Sequence, residues 1–285
     1  MGIRECFVPR PGHVFAQADY SGLELCTLSQ VCLDLFGKSE MAKVINAGKD
    51  VHSALASDLL GITYEEAMAR KAKSHPLHKE FNDARQISKA ANFGYPGGLG
   101  PKKFVAFAAR SGIELSLQRA KDLKQQWLER WPEMRYYFRF INDLQDEKKA
   151  IRITQVRSNR VRMCLAPGAY TAACNTLFQG LGADATAGAY WLIMNACYVY
   201  RESPLFGCRV VNFVHDEFIV EAPEASAAEA AEELSRLMVT GAAKWVPDVR
   251  LEAEPCLMRL WSKDAQTLRD DGGRLVVWEP KEKAA

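Results

Sequence analysis

Two aspartates in this 285-residue chain each stand at the end of an apolar run. Asp19 follows Val14 to Ala18, and Asp216 lies with His215 and Glu217 between the runs Val210 to Val214 and Phe218 to Val220. Apolar runs of this length bounded by polar residues read as strands, and the second pair reads as a hairpin with an acidic tip, though without the usual Asn-Gly turn. If the strands share one sheet, both carboxylates come to one edge on stiff backbone. Mg2+ suits that arrangement, because it takes one or two protein carboxylates and fills its octahedron with water and phosphate oxygens. Two such ions, about 3.5 to 4 Å apart, activate an attacking oxygen and neutralise a leaving one. Taken alone, two unrelated acidic strand ends explain the pattern more simply.

Arg85, Lys89 and Phe93 follow at i, i+4 and i+8, hence along one helix face. Like charges at that spacing repel by about 0.2 to 0.5 kcal/mol unless an anion lies between them, and a triphosphate would relieve the repulsion. An aromatic ring one turn further on packs against a base or sugar, a contact worth about 1 to 3 kcal/mol. A solvated basic face with Phe93 turned into the core fits the same spacing. Glu24 also carries two readings: with Ser21 three residues earlier it forms a capping box, which is sufficient to explain it.

The elements that must position these residues are legible in outline. Ser21 and Glu24 open a helix toward Phe36. Another runs from Val51 to Leu60, with Asp50 or Ser53 at its start and Gly61 closing it. Phe81 to Phe93 is helical until Gly94, Pro96, Gly97 and Gly98, and Leu117 to Ile141 is helical with a bend or break near Pro132. Between Tyr170 and Tyr200 the only charge is Asp184, which predicts one or two helices buried on most sides. Ala227, Ala230, Ala231, Leu234, Leu237, Met238, Ala242 and Trp245 keep the i, i+3, i+4 spacing of an amphipathic helix covering a sheet.

Composition excludes several classes. Hydrophobic residues at 48% and charged residues at 25% are those of a globular protein, not a fibrous or disordered one. The longest uncharged stretch, Met163 to Ala183, contains Pro167, Asn175, Gln179 and several glycines and reads as core, so no membrane partner is expected. No signal peptide opens the chain, and the eight scattered cysteines read as buried free thiols, so the expected location is cytoplasmic. The net charge of +2 hides an asymmetry: Arg70 to Arg162 holds 21 Lys and Arg against 9 Asp and Glu, the rest of the chain 16 against 26. A basic middle between acidic ends favours a polyanion-binding region beside one that gathers cations.

Three segments in order, Asp19-Tyr20-Ser21-Gly22-Leu23-Glu24, then Arg85-x-x-x-Lys89-x-x-Asn92-Phe93-Gly94, then Val214-His215-Asp216-Glu217, resemble the polymerase motifs of family A DNA polymerases, the polymerase I-like enzymes of bacteria and phages. Gly48-Lys49-Asp50-Val51-His52, and Asn175 with Gln179-Gly180, add to the match, which covers about residues 3 to 265. The resemblance implies an α+β right-hand fold: a palm of antiparallel sheet with helices from residues 1–36 and 163–268, α-helical fingers from 37–162, no thumb, and a tail at 269–285. It implies a bacterial nucleoid or phage-infected cytoplasm as the setting. Asp19 and Asp216 then resemble the ligands of two Mg2+ ions, with Mn2+ as a substitute and the Tyr20 carbonyl as a further ligand, and Glu217 an auxiliary catalytic group. Arg85, Lys89 and His52 resemble the triphosphate-binding set, Lys89 also as proton donor to pyrophosphate. Phe93 and Tyr95 would pack near the incoming deoxynucleoside triphosphate, Glu24 would be the steric gate against a 2′-hydroxyl, and Asn175, Gln179 and His215 would lie near primer-template DNA.

The chain departs from the family pattern at four places. Gly97 stands where the family has a tyrosine, with Tyr95 two residues earlier; Thr171 stands for an arginine, and Phe213 for a glutamine. Only 18 residues precede Asp19, so the resemblance implies a separate thumb- and exonuclease-containing subunit. The last segment, Leu275 to Trp278, either docks a partner as an added strand or stays loose. A non-catalytic nucleotide- or DNA-binding relative and a two-metal nuclease are the competing readings.

Overall fold

The computed structural model describes residues 3–147 and 149–280. Along the chain run β1 (His13–Tyr20), α1 (Leu23–Phe36), α2 (Glu40–Asn46), α3 (Val51–Leu60), α4 (Tyr64–Arg70), α5 (His78–Gly94), α6 (Pro101–Ala109), α7 (Leu117–Arg130), α8 (Glu133–Asp143), the hairpin of β2 (Ile151–Thr154) and β3 (Val161–Cys164), and α9 (Ala169–Tyr198). Then come β4 (Arg209–Val214), β5 (Glu217–Pro223), α10 (Ala227–Ala243), β6 (Ala253–Met258), β7 (Leu268–Arg269) and β8 (Leu275–Trp278). The chain divides into a sheet unit, formed by residues up to Leu23, Ala183–Val246 and Leu251 onward, and a helical unit, formed by Glu24–Gly182 and Pro247–Arg250. No helix among the described residues is long and apolar enough to cross a membrane.

In the sheet unit the strand order is β4-β5-β1-β6-β8-β7. β1 lies antiparallel between β5 and β6, and only β6 and β8 run parallel. The period of two along β1 puts Val14, Ala16, Ala18 and Tyr20 on one face and Phe15, Gln17 and Asp19 on the other. The small alanines let α10 approach closely, and the Tyr20 hydroxyl donates to the Met238 carbonyl of α10 at 2.7 Å. On the opposite face Phe15, Ile219, Met258 and Trp261 form a cluster with Val214 and Trp278. α9 and α10 meet backbone to backbone: a Cβ on Gly241 would lie 2.4 Å from the Ala189 Cα, so only glycine fits.

Residues 268–279 of the tail region are tied into the chain's own sheet unit, and residues 281–285 lie outside the described residues. β8 pairs with β6, and Arg269–Glu232 at 2.6 Å, Arg274–Glu229 at 3.2 Å and Arg259–Glu279 at 3.0 Å bind the hairpin, α10 and the end of β6 together, while Leu275 is buried. The apolar Leu275-Val276-Val277 run thus finds an edge within its own sheet.

In the helical unit α5 packs on α3 and α4, with Phe81 and Ala84 clustered with Ala56 of α3 and Ala67 of α4. The helix expected from Leu117 to Ile141 is broken into α7 and α8 by Trp131 and Pro132, as proline at that position dictates. The Tyr170 to Tyr200 segment forms one helix rather than two, and its far end is not enclosed: Trp191 is 69% exposed. The compact units divide the chain elsewhere than residues 36 and 162. α1 belongs with the helices because Gln30 binds Asp248 and Asp34 binds Arg157, and the first half of α9 does so because Gln155 donates to the Thr176 carbonyl and Tyr137 to that of Cys174.

Candidate functional site

The sheet unit carries the carboxylates. Asp19 sits at the penultimate position of β1, paired in register with Glu217 of β5 and Glu254 of β6. Asp216 occupies the two-residue turn between β4 and β5 beside His215, whose φ of 57° supplies the left-handed residue that Asn or Gly usually gives. That conformation costs a non-glycine residue about 1 to 2 kcal/mol. The tip therefore holds a strained backbone next to a half-buried acid. Asp19 reaches solvent, yet partial burial of its carboxyl, then the charges of Asp216 and Glu217, raise its pKa from 3.8 to about 6. Asp216 is also raised, chiefly by burial. Like charges gathered on one strand end are a place for a cation.

The donor set fits a hard divalent ion. Both side chains offer oxygen only, the donor chemistry that Mg2+ takes, and among the described residues no group of three His, Cys, Asp or Glu side chains is arranged to hold a metal by itself. The Tyr20 carbonyl already accepts the Gly22 N–H at 2.9 Å and retains one lone pair. Glu217 is already engaged: Oε1 accepts the Trp261 indole N–H at 2.7 Å and Oε2 lies 3.4 Å from Arg4, which covers the Trp261 ring. In this position it also acts on Asp19 as a neighbouring charge. His215 is exposed at the tip.

The helical unit carries the cations. The face Phe81, Ala84, Ser88, Ala91 and Asn92 of α5 is buried, and Arg85, Lys89 and Phe93 form the adjacent stripe, half-buried at Arg85 and Phe93 and exposed at Lys89. The anion that relieves the stripe here is Asp50: it caps α3 by accepting the His52 N–H, accepts the Ser53 hydroxyl, and receives Arg85 at 2.7 Å. Those donors hold the Asp50 carboxyl below its ordinary range against the opposing effect of burial. No described residue pairs with Lys89. His52 packs its ring 5.4 Å from that of Phe93. Burial, with Arg85 and Lys89 nearby, lowers its pKa to about 4.

Tyr95 does not join this stripe. It falls three and seven residues past Asn92 and Ser88, on the buried face; its ring stacks on Phe104 at 4.2 Å, and its hydroxyl donates to the Ala120 carbonyl at 2.9 Å. Tyr95, expected near the nucleotide, is fully buried in this packing, as its spacing from Asn92 and Ser88 signals. Gly97 is filled from another helix: a Cβ there would lie 2.8 Å from Oδ1 of Asn175, whose amide donates to the Thr171 carbonyl. The capping box is not formed. α1 begins at Leu23, the Ser21 hydroxyl donates to Glu254, and the Glu24 carboxylate instead accepts the Gln179 amide at 3.1 Å. Phe213, in the place of a glutamine, stacks on Phe218 at 4.5 Å. The sequence reading missed Asp50 as an anchor for Arg85, Asn92 as a buried polar hub, and Trp261 as the support of Glu217; an Asn on an otherwise apolar helix face was the one visible sign.

A family model described as DNA polymerase family A matches residues 1–263. DNA polymerase I of Aquifex aeolicus is 27% identical over 263 residues, 92% of this chain and 42% of that protein. The DNA polymerase of Bacillus phage SP01 is 26% identical over 80% of this chain and 23% of its own length. Among solved structures, the POL domain of Pol1 from M. smegmatis, in complex with DNA primer-template and dNTP, superposes with a TM-score of 0.69 at 23% identity over 91% of this chain and 42% of that one. The chain thus spans about two-fifths or less of the length of these relatives.

Proposed function

The chain belongs to DNA polymerase family A, and on that footing we propose that it is the nucleotidyl-transfer portion of a template-directed DNA polymerase, which adds deoxynucleotides to a primer 3′-end. The sheet unit acts as the palm and the helical unit as the fingers. The observation that carries the reading is the pair Asp19 and Asp216, two carboxyls raised in pKa on one strand end of a family A chain. Asp19, Asp216 and the Tyr20 carbonyl would hold two Mg2+ or Mn2+ ions, whose chemistry there would be to activate the 3′-hydroxyl and to neutralise charge on the departing phosphates.

The primer 3′-oxygen attacks the α-phosphorus, its proton passes to solvent water, and the bond between the α-phosphorus and the oxygen bridging to the β-phosphate breaks. Arg85, Lys89 and His52 bind the triphosphate, and Lys89 gives a proton to the leaving pyrophosphate. Phe93 packs against the incoming nucleotide. Glu24, held by Gln179, acts in this reading as the steric gate against a 2′-hydroxyl, and Asn175, Gln179 and His215 contact primer and template. The remaining length of the relatives supplies a thumb, in this reading from a further polypeptide segment. Its phosphate contacts add the salt-sensitive share of DNA affinity, so the chain alone extends primers briefly and distributively.

The test is single-turnover incorporation of one deoxynucleotide on a primer-template with Mg2+. Asp19→Ala and Asp216→Ala should each abolish it with the fold retained. Near wild-type turnover by both variants refutes the reading, and retained DNA binding without any incorporation by the wild type favours a non-catalytic relative.

A further inference from the structure

Asn92 lies on the buried face of α5 and has no solvent exposure. Its Oδ1 accepts two indole N–H groups, Trp127 Nε1 at 2.9 Å and Trp131 Nε1 at 3.1 Å. An indole nitrogen only donates, so the side of the amide that faces the two tryptophans must be the oxygen. The NH2 group is thereby turned the other way, toward the Val51 carbonyl at 3.4 Å and His52 Nδ1 at 3.1 Å. All four hydrogen-bonding positions of the amide are used. Reversing the amide would set two donors against two indole donors and an acceptor against a carbonyl, losing three of the four bonds and keeping the one to the ring only if Nδ1 took the proton.

That orientation decides the chemistry of the histidine. A ring nitrogen that receives an amide N–H is an acceptor and carries no proton, so in the neutral imidazole the proton resides on Nε2. We propose that Asn92 is a positioning residue that fixes His52 as the Nε2–H tautomer, so that His52 offers the triphosphate an N–H donor at neutral pH. The second half of this assignment rests on the nucleotide-binding role given to His52 above. No described residue bonds Nε2, and the ring is otherwise held by its backbone N–H on Asp50 and by Phe93. Burial and the cations Arg85 and Lys89 of α5 oppose a charged imidazolium more than Asp50 favours it, which keeps the ring in the neutral form where tautomer matters. A neutral donor contributes direction where Arg85 and Lys89 contribute charge.

The test uses the full chain labelled with 15N-histidine, and ring correlations read the protonation of each nitrogen directly. The chain has five histidines, and loss of one ring system in His52→Gln assigns the signal. At pH 7 His52 should show a bare Nδ1 and a protonated Nε2. A protonated Nδ1, or averaging between tautomers, in the assigned wild-type signal overturns the proposal. In Asn92→Asp the new carboxylate still accepts both indoles but can only accept from the ring, so Nδ1 should gain a proton; a bare Nδ1 in that variant overturns the claim that Asn92 sets the tautomer. Addition of a deoxynucleoside triphosphate with Mg2+ should then shift Nε2 and leave Nδ1 in place. An unshifted Nε2 beside the expected tautomer overturns the triphosphate role of His52 and leaves the positioning by Asn92 standing.

Discussion

Replacing Asp19 by Asn should make the protein more stable while removing its activity. The ionised carboxyl at the end of β1 is penalised by partial burial and by Asp216, Glu217 and Glu254. The rise from 3.8 to about 6 corresponds to about 3 kcal/mol if taken at full value. Solvent reaches the strand end and screens the charge, so about 1 kcal/mol is the expected net penalty. The direction follows from linkage: the folded state holds the proton more tightly than the unfolded one, so the penalty is absent below pH 3.8, grows between pH 3.8 and about 6, and is complete above. An amide of the same shape carries no charge and escapes it. In metal-free buffer, Asp19→Asn should raise the unfolding temperature by about 2 to 4 °C at pH 8 and match the wild type at pH 3.5. Added Mg2+ should narrow the gap at pH 8 by stabilising only the wild type. Thermal unfolding followed by circular dichroism at the two pH values decides it. A variant less stable than the wild type at pH 8, or a difference independent of pH, would refute the account of Asp19 as a carboxylate under like-charge stress.

Lys89→Ala should lower the single-turnover rate about 100-fold or more, the scale of a lost general acid, while Arg85→Ala should chiefly raise the KM for deoxynucleotide; unchanged kinetics in both would place the stripe on an inert surface. Because Glu24 caps nothing, Glu24→Ala should cost less than about 0.5 kcal/mol in urea unfolding yet admit ribonucleotides in a primer-extension assay, and a large stability loss without ribonucleotide use would refute the gate. His52 has a lowered folded pKa, so its stabilising contribution is complete above pH 6.5 and lost as pH falls toward about 4. His52→Gln should flatten that acid limb of the stability profile, a slope opposite in sign to the one Asp19 produces over the same window; an unaltered limb would show that the ring is not held neutral.

The local placement of the candidate residues was legible in the sequence. Asp19, Asp216 and the α5 stripe follow from residue type and period, and the Asp50 cap and Gly61 stop of α3 follow from local rules that neighbours did not override. Where tertiary contacts decided, sequence rules failed. β6 has Glu254 and Pro255 inside it, a pattern that argues against an interior strand; it lies between β1 and β8 nonetheless. The Ser21 and Glu24 spacing is that of a capping box, yet Gly22 turns at φ of 70° and α1 starts one residue too late for it to close. Tyr95 and Phe93 are two residues apart and face different surroundings, which only the full run of α5 distinguishes. Asn92 sits in a motif read for its neighbours, and its partners Trp127 and Trp131 come from a helix too distant in sequence for any local pattern to reach.

The match to the family ends at residue 263, but the sheet does not. β8 begins at Leu275 and occupies the side of β6 that faces away from β1. Anyone building chimaeras by exchanging segments between polymerases at the family border would leave β6 with a bare row of N–H and C=O groups, an open template for intermolecular pairing and precipitation. The natural crossover point for such hybrids lies after Glu279, which Arg259 holds, with α10 carried along, since Glu229 and Glu232 on that helix are the counterions that keep the hairpin docked.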